Sequence, residues 1–182
     1  MPHPLCSLSA KPLGTVAVRL GMLLLFTSAL MALLDLPLQG EAAPWGIVSF
    51  ELAATPYQAL RILLEWDTKE ALGHARLSLL VDFAYLLVYG LFFATLAAWF
   101  GKKNSDEKWS SLAAWAATLA ALFDALENSL MLYQVERFST ETPFPQLAAS
   151  FATIKFALLL IASAYCLVAG FGLLRQRYRR PL

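Results

Sequence analysis

The sequence predicts an all-α membrane protein in which four transmembrane helices form a bundle. Of the 182 residues, 59% are hydrophobic and only 15% are charged. The mean hydropathy of +0.59 is too high for an ordinary soluble domain. The apolar residues fall in four long stretches, each at least as long as the roughly 20 residues that a bilayer-spanning helix needs. We therefore expect residues 1–182 to form a single membrane domain.

The predicted transmembrane helices cover residues 15–38, 77–100, 109–135 and 148–174. Within its apolar stretch the second carries only one charged residue, Asp82, and the third carries Asp124 and Glu127. The fourth carries Lys155. Each stretch is long enough to span a bilayer with some tilt.

A cleavable signal peptide is the alternative interpretation of the first stretch. Lys11 and Arg19 lie before its apolar core, as basic residues do in signal peptides. No A-x-A cleavage pattern follows at the right distance, so the sequence favours a retained membrane helix.

The long loop of residues 39–76 contains signals of its own. Thr55 followed by Pro56 is typical of a helix N-terminus, and the apolar residues that follow predict a short amphipathic helix that lies on the membrane surface or caps the bundle. Asp67 and Glu70 have the D-x-x-E spacing of a capping box, which predicts that the second long helix begins about two turns outside the bilayer. We interpret Glu51 as a solvated loop acid; a lid over a pocket is the alternative.

The distribution of basic residues predicts the orientation of the chain. Most of the lysines and arginines collect on one side if the N-terminus, the loop of residues 101–108 and the C-terminus share that side. Most acids outside the membrane helices then lie on the other side. The positive-inside rule places both termini in the cytoplasm. The basic run from Arg175 to Arg180 is then a headgroup anchor, and no nucleic-acid partner is expected.

The histidines and cysteines do not indicate a metal or cofactor site. His3 and His74 lie outside the predicted membrane helices, and Cys6 and Cys166 are far apart in the predicted topology. No C-x-x-C, G-x-S-x-G, H-E-x-x-H or Walker pattern is present. We therefore predict no metal and no cofactor, while enzymatic activity stays open.

Polar residues inside the membrane helices form the candidate site. At 1.5 Å per residue, Asp82, Glu127, Asp124 and Lys155 lie about 8, 12, 16 and 10 Å from the outer ends of their helices, so they share one layer. Helical spacing places Asn128 on the face of Asp124 and Glu127, and places aromatic side chains on the face of Asp82. The candidate ligand-binding residues are Asp82, Tyr85, Tyr89, Asp124, Glu127, Asn128 and Lys155. Asp124 and Glu127 are also the candidates for acid–base catalysis.

Three carboxylates share this layer with one ammonium group, which leaves a formal charge of about −2 that is costly in a low-dielectric site. A proton on one carboxyl group or a bound cation would neutralise it. Small residues, Ala113, Ala117, Ala120 and Ala121, continue the Asp124 face toward the cytoplasm and predict close helix packing there. We therefore expect a bundle that is tight on the cytoplasmic side, with a pocket open to the outer side.

These motifs resemble a known group of proteins. Asp82-Phe83 followed by Tyr89, Asp124-x-x-Glu127-Asn128, and Lys155-Phe156 resemble the pattern of uncharacterised bacterial four-helix membrane proteins, over residues 46–160. That resemblance implies the fold and a location in a bacterial inner membrane, and it implies no activity. In architecture alone, acids in the core of a four-helix bundle are also similar to the EXPERA sterol-isomerase and sigma-2 group.

Three hypotheses about function are consistent with these residues. The first is a protein that binds or transports a small cationic or amphipathic ligand, with proton linkage through its carboxylates. The second is an intramembrane enzyme that acts on a lipid or isoprenoid by carboxylate acid–base chemistry. The third is a structural or accessory subunit, as a homo-oligomer or in a larger membrane complex, whose polar layer fixes assembly.

Overall fold

The all-α prediction is confirmed. A computed structural model describes residues 1–178, with side chains through residue 175, and these residues contain no strand. The six α-helices are α1 (Ala10–Asp35), α2 (Ile47–Glu51), α3 (Pro56–Thr68), α4 (Leu72–Asn104), α5 (Glu107–Arg137) and α6 (Phe144–Tyr178). Short 3₁₀ helices cover Pro4–Ser7 and Leu36–Leu38. In the basic C-terminal run, Arg177, Arg179 and Arg180 lie outside the residues whose side chains are described.

Four helices are long and apolar enough to cross a membrane, so the chain is a membrane protein. These candidate spans are Ala10–Leu38, Leu72–Asn104, Glu107–Arg137 and Phe144–Arg175, and they enclose the four predicted ones. They differ in how much they bury. In the most apolar 18-residue stretch of each span, 6% of the residues are buried in the span that contains α1 and 44% in the span of α5. The side chains of α1, such as Leu25 and Phe26, are thus available to lipid.

Tight turns of one kind end α3, α4 and α5. After each helix one residue adopts a left-handed conformation: Glu70 at φ 55°, Ser105 at φ 55° and Phe138 at φ 48°. The next N–H group then donates to a carbonyl five residues earlier, as Ala71 N does to Trp66 O at 2.7 Å. This is the Schellman motif. Asp67 to Glu70 therefore ends α3, and the predicted capping box at the start of the following helix is wrong.

Local chemistry explains the helices of the long loop. The Thr55 side chain accepts a hydrogen bond from Gln58 N, with Pro56 in the first turn of α3, as the sequence predicts. At the start of α2, Asp35 Oδ1 accepts a hydrogen bond from Ile47 N at 2.6 Å. Gly46 has φ 54°, and a Cβ there would collide with the Asp35 carboxylate. The turn into α2 thus requires glycine.

The described chain forms two compact units, and each long helix contributes to both. The first, which we call the cluster unit, comprises Leu25–Leu87 and Leu122–Lys155. Its apolar core contains Phe50 of α2, Trp66 of α3, Leu79 of α4 and Met131 of α5. The Trp66 indole donates to Leu38 O at 2.8 Å and meets the Phe50 ring edge-on at 5.2 Å. The short loop helices are thus packed into this core.

The second unit, which we call the alanine unit, comprises Met1–Leu24, Val88–Ala121 and the described residues from Phe156 onward. Ala113, Ala117 and Ala120 are at most 1% exposed, which confirms the predicted small-residue face. A Cβ on Gly90 would lie 2.9 Å from the Cβ of Ala121. The helices of this unit therefore approach closely because their facing residues are small.

The N-terminal segment docks onto α5 within the alanine unit. His3 N donates to Ser111 Oγ at 2.7 Å, and Leu5 N donates to His3 Nδ1 at 3.2 Å. His3 Nε2 lies 3.2 Å from Thr118 Oγ1, and the ring meets Trp115 edge-on at 4.8 Å. Because Nδ1 accepts a hydrogen bond, the docked imidazole is neutral, and burial lowers its pKa below 6.5.

Candidate functional site

Lys155 lies at the centre of a cluster of three carboxylates, which we call the Lys155 cluster. Its Nζ donates to Asp124 Oδ1 at 2.9 Å and to Glu51 Oε2 at 3.1 Å. It also forms an ion pair with Glu127 Oε2 at 2.8 Å. All four residues belong to the cluster unit. The structure thus brings the predicted Asp124, Glu127 and Lys155 together, on facing sides of α5 and α6.

Glu51 is the member of the cluster that the sequence interpretation misjudged. It is the last residue of α2 and is 7% exposed, so its interpretation as a solvated loop acid is wrong. The core contacts of Phe50 and the hydrogen bond from Ile47 N to Asp35 hold α2 in place. These contacts direct Glu51 to the Lys155 ammonium group.

The Lys155 cluster is closed. Asp124 and Lys155 are each 3% exposed and Glu127 is fully buried. We expected a pocket open to the outer side, and the structure differs because Glu51 and its helix add to the buried interior. A cleft of about 280 Å³ does lie in the cluster unit, but it is lined by α2 and α3 residues such as Ser49, Tyr57 and Arg61. The cleft is therefore not lined by Lys155, Glu51, Asp124 or Glu127.

The formal charge of the Lys155 cluster does not balance. Three carboxylates surround one ammonium group, so the fully ionised cluster carries −2. Uncompensated charge is expensive in a buried site. Burial raises the pKa of the Glu51 carboxyl above its ordinary value of 4.5, and the charge of Asp124 raises it further, against the opposing effect of Lys155. The cluster therefore favours a bound proton.

Asp82 and Asn128 form a second pair beside the cluster. Asn128 Nδ2 donates to Asp82 Oδ2 through a short hydrogen bond, and Asn128 follows Glu127 on α5. We expected Asp82 to lie in the same layer as Lys155. In the structure, the Asp82 carboxylate accepts a hydrogen bond from the Asn128 carboxamide of α5. Asp82 is partly exposed, whereas Asn128 is only 1% exposed. The pair adds a fourth carboxylate to the polar layer of this unit.

Several buried acceptors in the cluster unit have no hydrogen-bond partner among the described residues. They include Glu127 Oε1 and Asn128 Oδ1, on adjacent residues of α5. An unsatisfied buried polar group costs about 1–3 kcal/mol, and more if it is charged. A proton on the Glu127 carboxyl group, or a hydrogen-bond donor from a ligand at either oxygen, would lower this cost.

The two tyrosines of the predicted site are placed differently. The Tyr85 hydroxyl lies 3.3 Å from Ser28 Oγ on α1, within the cluster unit. Tyr89 is 4% exposed and belongs to the alanine unit. The structure thus assigns Tyr85 a contact with α1 and buries Tyr89 in a different core.

An ammonium group lies at the centre of the three carboxylates, where a cation would bind. Among the described residues, no group of three or more His, Cys, Asp or Glu side chains is arranged to hold a metal ion. The position between Glu51, Asp124 and Glu127 is filled by the Lys155 ammonium group.

Comparison of the chain with protein-family models, curated proteins and solved structures gives no match in any of the three.

Proposed function

We propose that this protein binds a small cationic or amphipathic ligand at the Lys155 cluster, in exchange for protons, and carries it across or within the membrane. The observation that carries this proposal is the surplus of carboxylate around Lys155. Three carboxylates lie within 3.1 Å of a single ammonium nitrogen, and the buried Glu127 Oε1 has no hydrogen-bond donor within residues 1–175. A proton and a cation are alternative ways to neutralise the same surplus.

Proton linkage follows from the coupling of the groups. Because the carboxylates share one counter-ion, they take up and release protons as a unit. A ligand cation that enters the cluster replaces the proton and leaves Lys155 paired. An acidic medium therefore weakens binding, and binding releases a proton into the medium.

The position of Glu51 supports an entry route through the loop between α1 and α3. Displacement of α2 would remove one carboxylate from Lys155 and open the buried layer. The apolar face of the ligand would then meet the membrane helices that line this layer.

Orientation and location belong to this proposal. The bias of basic residues supports cytoplasmic termini in a bacterial inner membrane, with α2 and α3 on the outer side. Single cysteines at Ser139 and Ser105, both in turns, test it with a membrane-impermeant maleimide on intact cells. We expect labelling at Ser139→Cys alone. Labelling of Ser105→Cys alone would reverse the orientation.

Direct binding tests the proposed function. Tetraphenylphosphonium and octylamine are titrated calorimetrically into the detergent-solubilised protein at pH 6 and pH 8, in buffers of different ionisation enthalpy. We expect tighter binding at pH 8, with proton release, and weaker binding to Glu127→Gln. Lys102→Gln, which changes a lysine outside the cluster, serves as the control. Equal affinity at both pH values and in the Glu127→Gln variant would reject the proposal.

A further inference from the structure

A groove between α1 and α4 of the alanine unit is lined by basic and apolar residues. It encloses about 760 Å³ and is lined by three basic residues, Lys11 and Arg19 of α1 and Lys103 of α4. No acidic residue lines it. All three basic side chains are exposed, and none forms an ion pair within residues 1–175. The groove therefore presents unneutralised positive charge.

The floor of the groove depends on a glycine. A Cβ on Gly14 would lie 2.8 Å from Trp99 Nε1, so the indole rests directly against the α1 backbone. No acceptor for this indole N–H is found in the described part of the chain. Trp99 and Lys103 are one turn apart on α4, which places an indole donor and a cation on the same face. Tryptophan at this level of a membrane helix is typical of the headgroup region.

The groove continues into an apolar track. Val18 and Met22 line it, and they are 65% and 61% exposed. Lys11 and Arg19 are eight residues apart, or about 12 Å along the helix. Arg19 lies deeper along α1 than Lys11, and a long basic side chain can extend toward the headgroup layer, which would bring the Arg19 guanidinium toward the level of Lys11. The lining therefore combines cations, one indole donor and an aliphatic surface.

We propose that this groove is a binding site for an anionic phospholipid. The phosphate oxygens accept from Lys11, Arg19 and Lys103, with the Trp99 indole as an additional donor, and an acyl chain lies along Val18 and Met22. Basic pockets between membrane helices bind anionic headgroups in this way. A zwitterionic headgroup fits less well because the lining offers its ammonium group no carboxylate.

Native mass spectrometry of the delipidated protein tests the site. Dioleoyl phosphatidylglycerol and dioleoyl phosphatidylcholine are titrated separately, and the bound fraction is read directly. The groove variant carries Lys11→Gln, Arg19→Gln and Lys103→Gln. The matched control carries Lys102→Gln, Lys108→Gln and Arg137→Gln, which removes the same charge outside the groove.

We expect phosphatidylglycerol to bind more tightly than phosphatidylcholine. Each removed groove charge should weaken its binding about fivefold, and the triple groove variant about a hundredfold. The control should change the affinity less than threefold. If the triple variant does not fold, Lys11→Gln and Lys103→Gln singly still test the fivefold effect.

Three results would overturn the proposal. An equal loss of phosphatidylglycerol affinity in the groove variant and the control would show that the lipid responds to the overall positive charge of the protein and not to the groove. Equal affinity for the two lipids would remove the charge selectivity. Full displacement of phosphatidylglycerol by inorganic phosphate at an equal concentration would assign the site to a free anion, because the acyl-chain contacts would then contribute nothing.

Discussion

Replacement of Glu127 by glutamine is the perturbation that best separates a functional cluster from a structural one. Glu127 is attracted to Lys155 at 2.8 Å, which at an effective dielectric constant of 20 amounts to about 6 kcal/mol. Three oxygens that surround one ammonium nitrogen in a tetrahedral arrangement are about 5 Å apart. The two repulsions from the other carboxylates are then about 3 kcal/mol each. Attraction and repulsion cancel, and the desolvation cost of a buried carboxylate remains.

We therefore expect Glu127→Gln to be as stable as the parent within about 1 kcal/mol, or more stable. Lys155→Met should lose about 3–5 kcal/mol, because it leaves three buried carboxylates without a counter-ion. The assay is reversible unfolding in detergent micelles at pH 7, with the double variant to complete a cycle. Lys102→Met, whose partner Glu107 lies at 3.6 Å and is largely exposed, should change stability by less than about 0.5 kcal/mol.

A loss of several kcal/mol in Glu127→Gln would refute this reasoning. The carboxylate would then be stabilising in itself, and the cluster would be a device for fixing helix register. A loss below about 1 kcal/mol in Lys155→Met would equally show that the lysine does not compensate the acids. The first result would favour an accessory subunit over a ligand-binding protein, and the second would remove the charge compensation on which the proposed site depends.

Three further outcomes follow from the described contacts. The raised pKa of Glu51 means that the folded state holds its proton more tightly than the unfolded chain, so stability should fall as the pH rises above 4.5; Glu51→Gln should flatten this part of the stability–pH curve. Gly46→Ala should lose about 1–3 kcal/mol from backbone strain and from collision with Asp35, whereas Gly73→Ala, with open space around it, should gain up to about 1 kcal/mol; chemical unfolding compares the two. The lowered pKa of His3 means that protonation opposes docking, so the protection factor of the Cys6 amide, which donates to His3 O at 2.9 Å, should fall as the pH drops below 6.5. His3→Phe, with no group to protonate, should remove that pH dependence, and an unchanged profile would contradict the assignment.

Residue spacing was sufficient to predict most of the fold and part of the site. Long apolar stretches have few alternatives to membrane helices, so the four predicted spans lie inside observed helices. Helical depth and face are nearly fixed by the rise per residue, which is why Asp124 and Lys155 were correctly placed in one layer. The helical spacing of the small residues likewise predicted the buried alanine face correctly.

The features that were predicted wrongly depend on tertiary contacts, which residue spacing does not report. A five-residue helix is too short to show a periodicity, and a single acid in a loop has the same local signature whether it is solvated or buried. Glu51 was therefore misassigned, although Gly46 and Asp35 mark the turn that directs it inward. The D-x-x-E spacing at Asp67 also fits the end of a helix, and only the left-handed conformation of Glu70 distinguishes the two.

The order of the cluster residues along the chain has a consequence for biogenesis. Lys155 lies on the last membrane helix, so the ribosome produces its carboxylate partners on α5 before their counter-ion. An isolated α5 would carry two acids into the bilayer, each costing about 2.5–3.5 kcal/mol near the centre of the membrane. The short turn between α5 and α6 allows both helices to enter as a hairpin that is already neutralised in part. A chain truncated after α5 should consequently insert poorly, and Lys155→Met should weaken the insertion of α5 in the full chain.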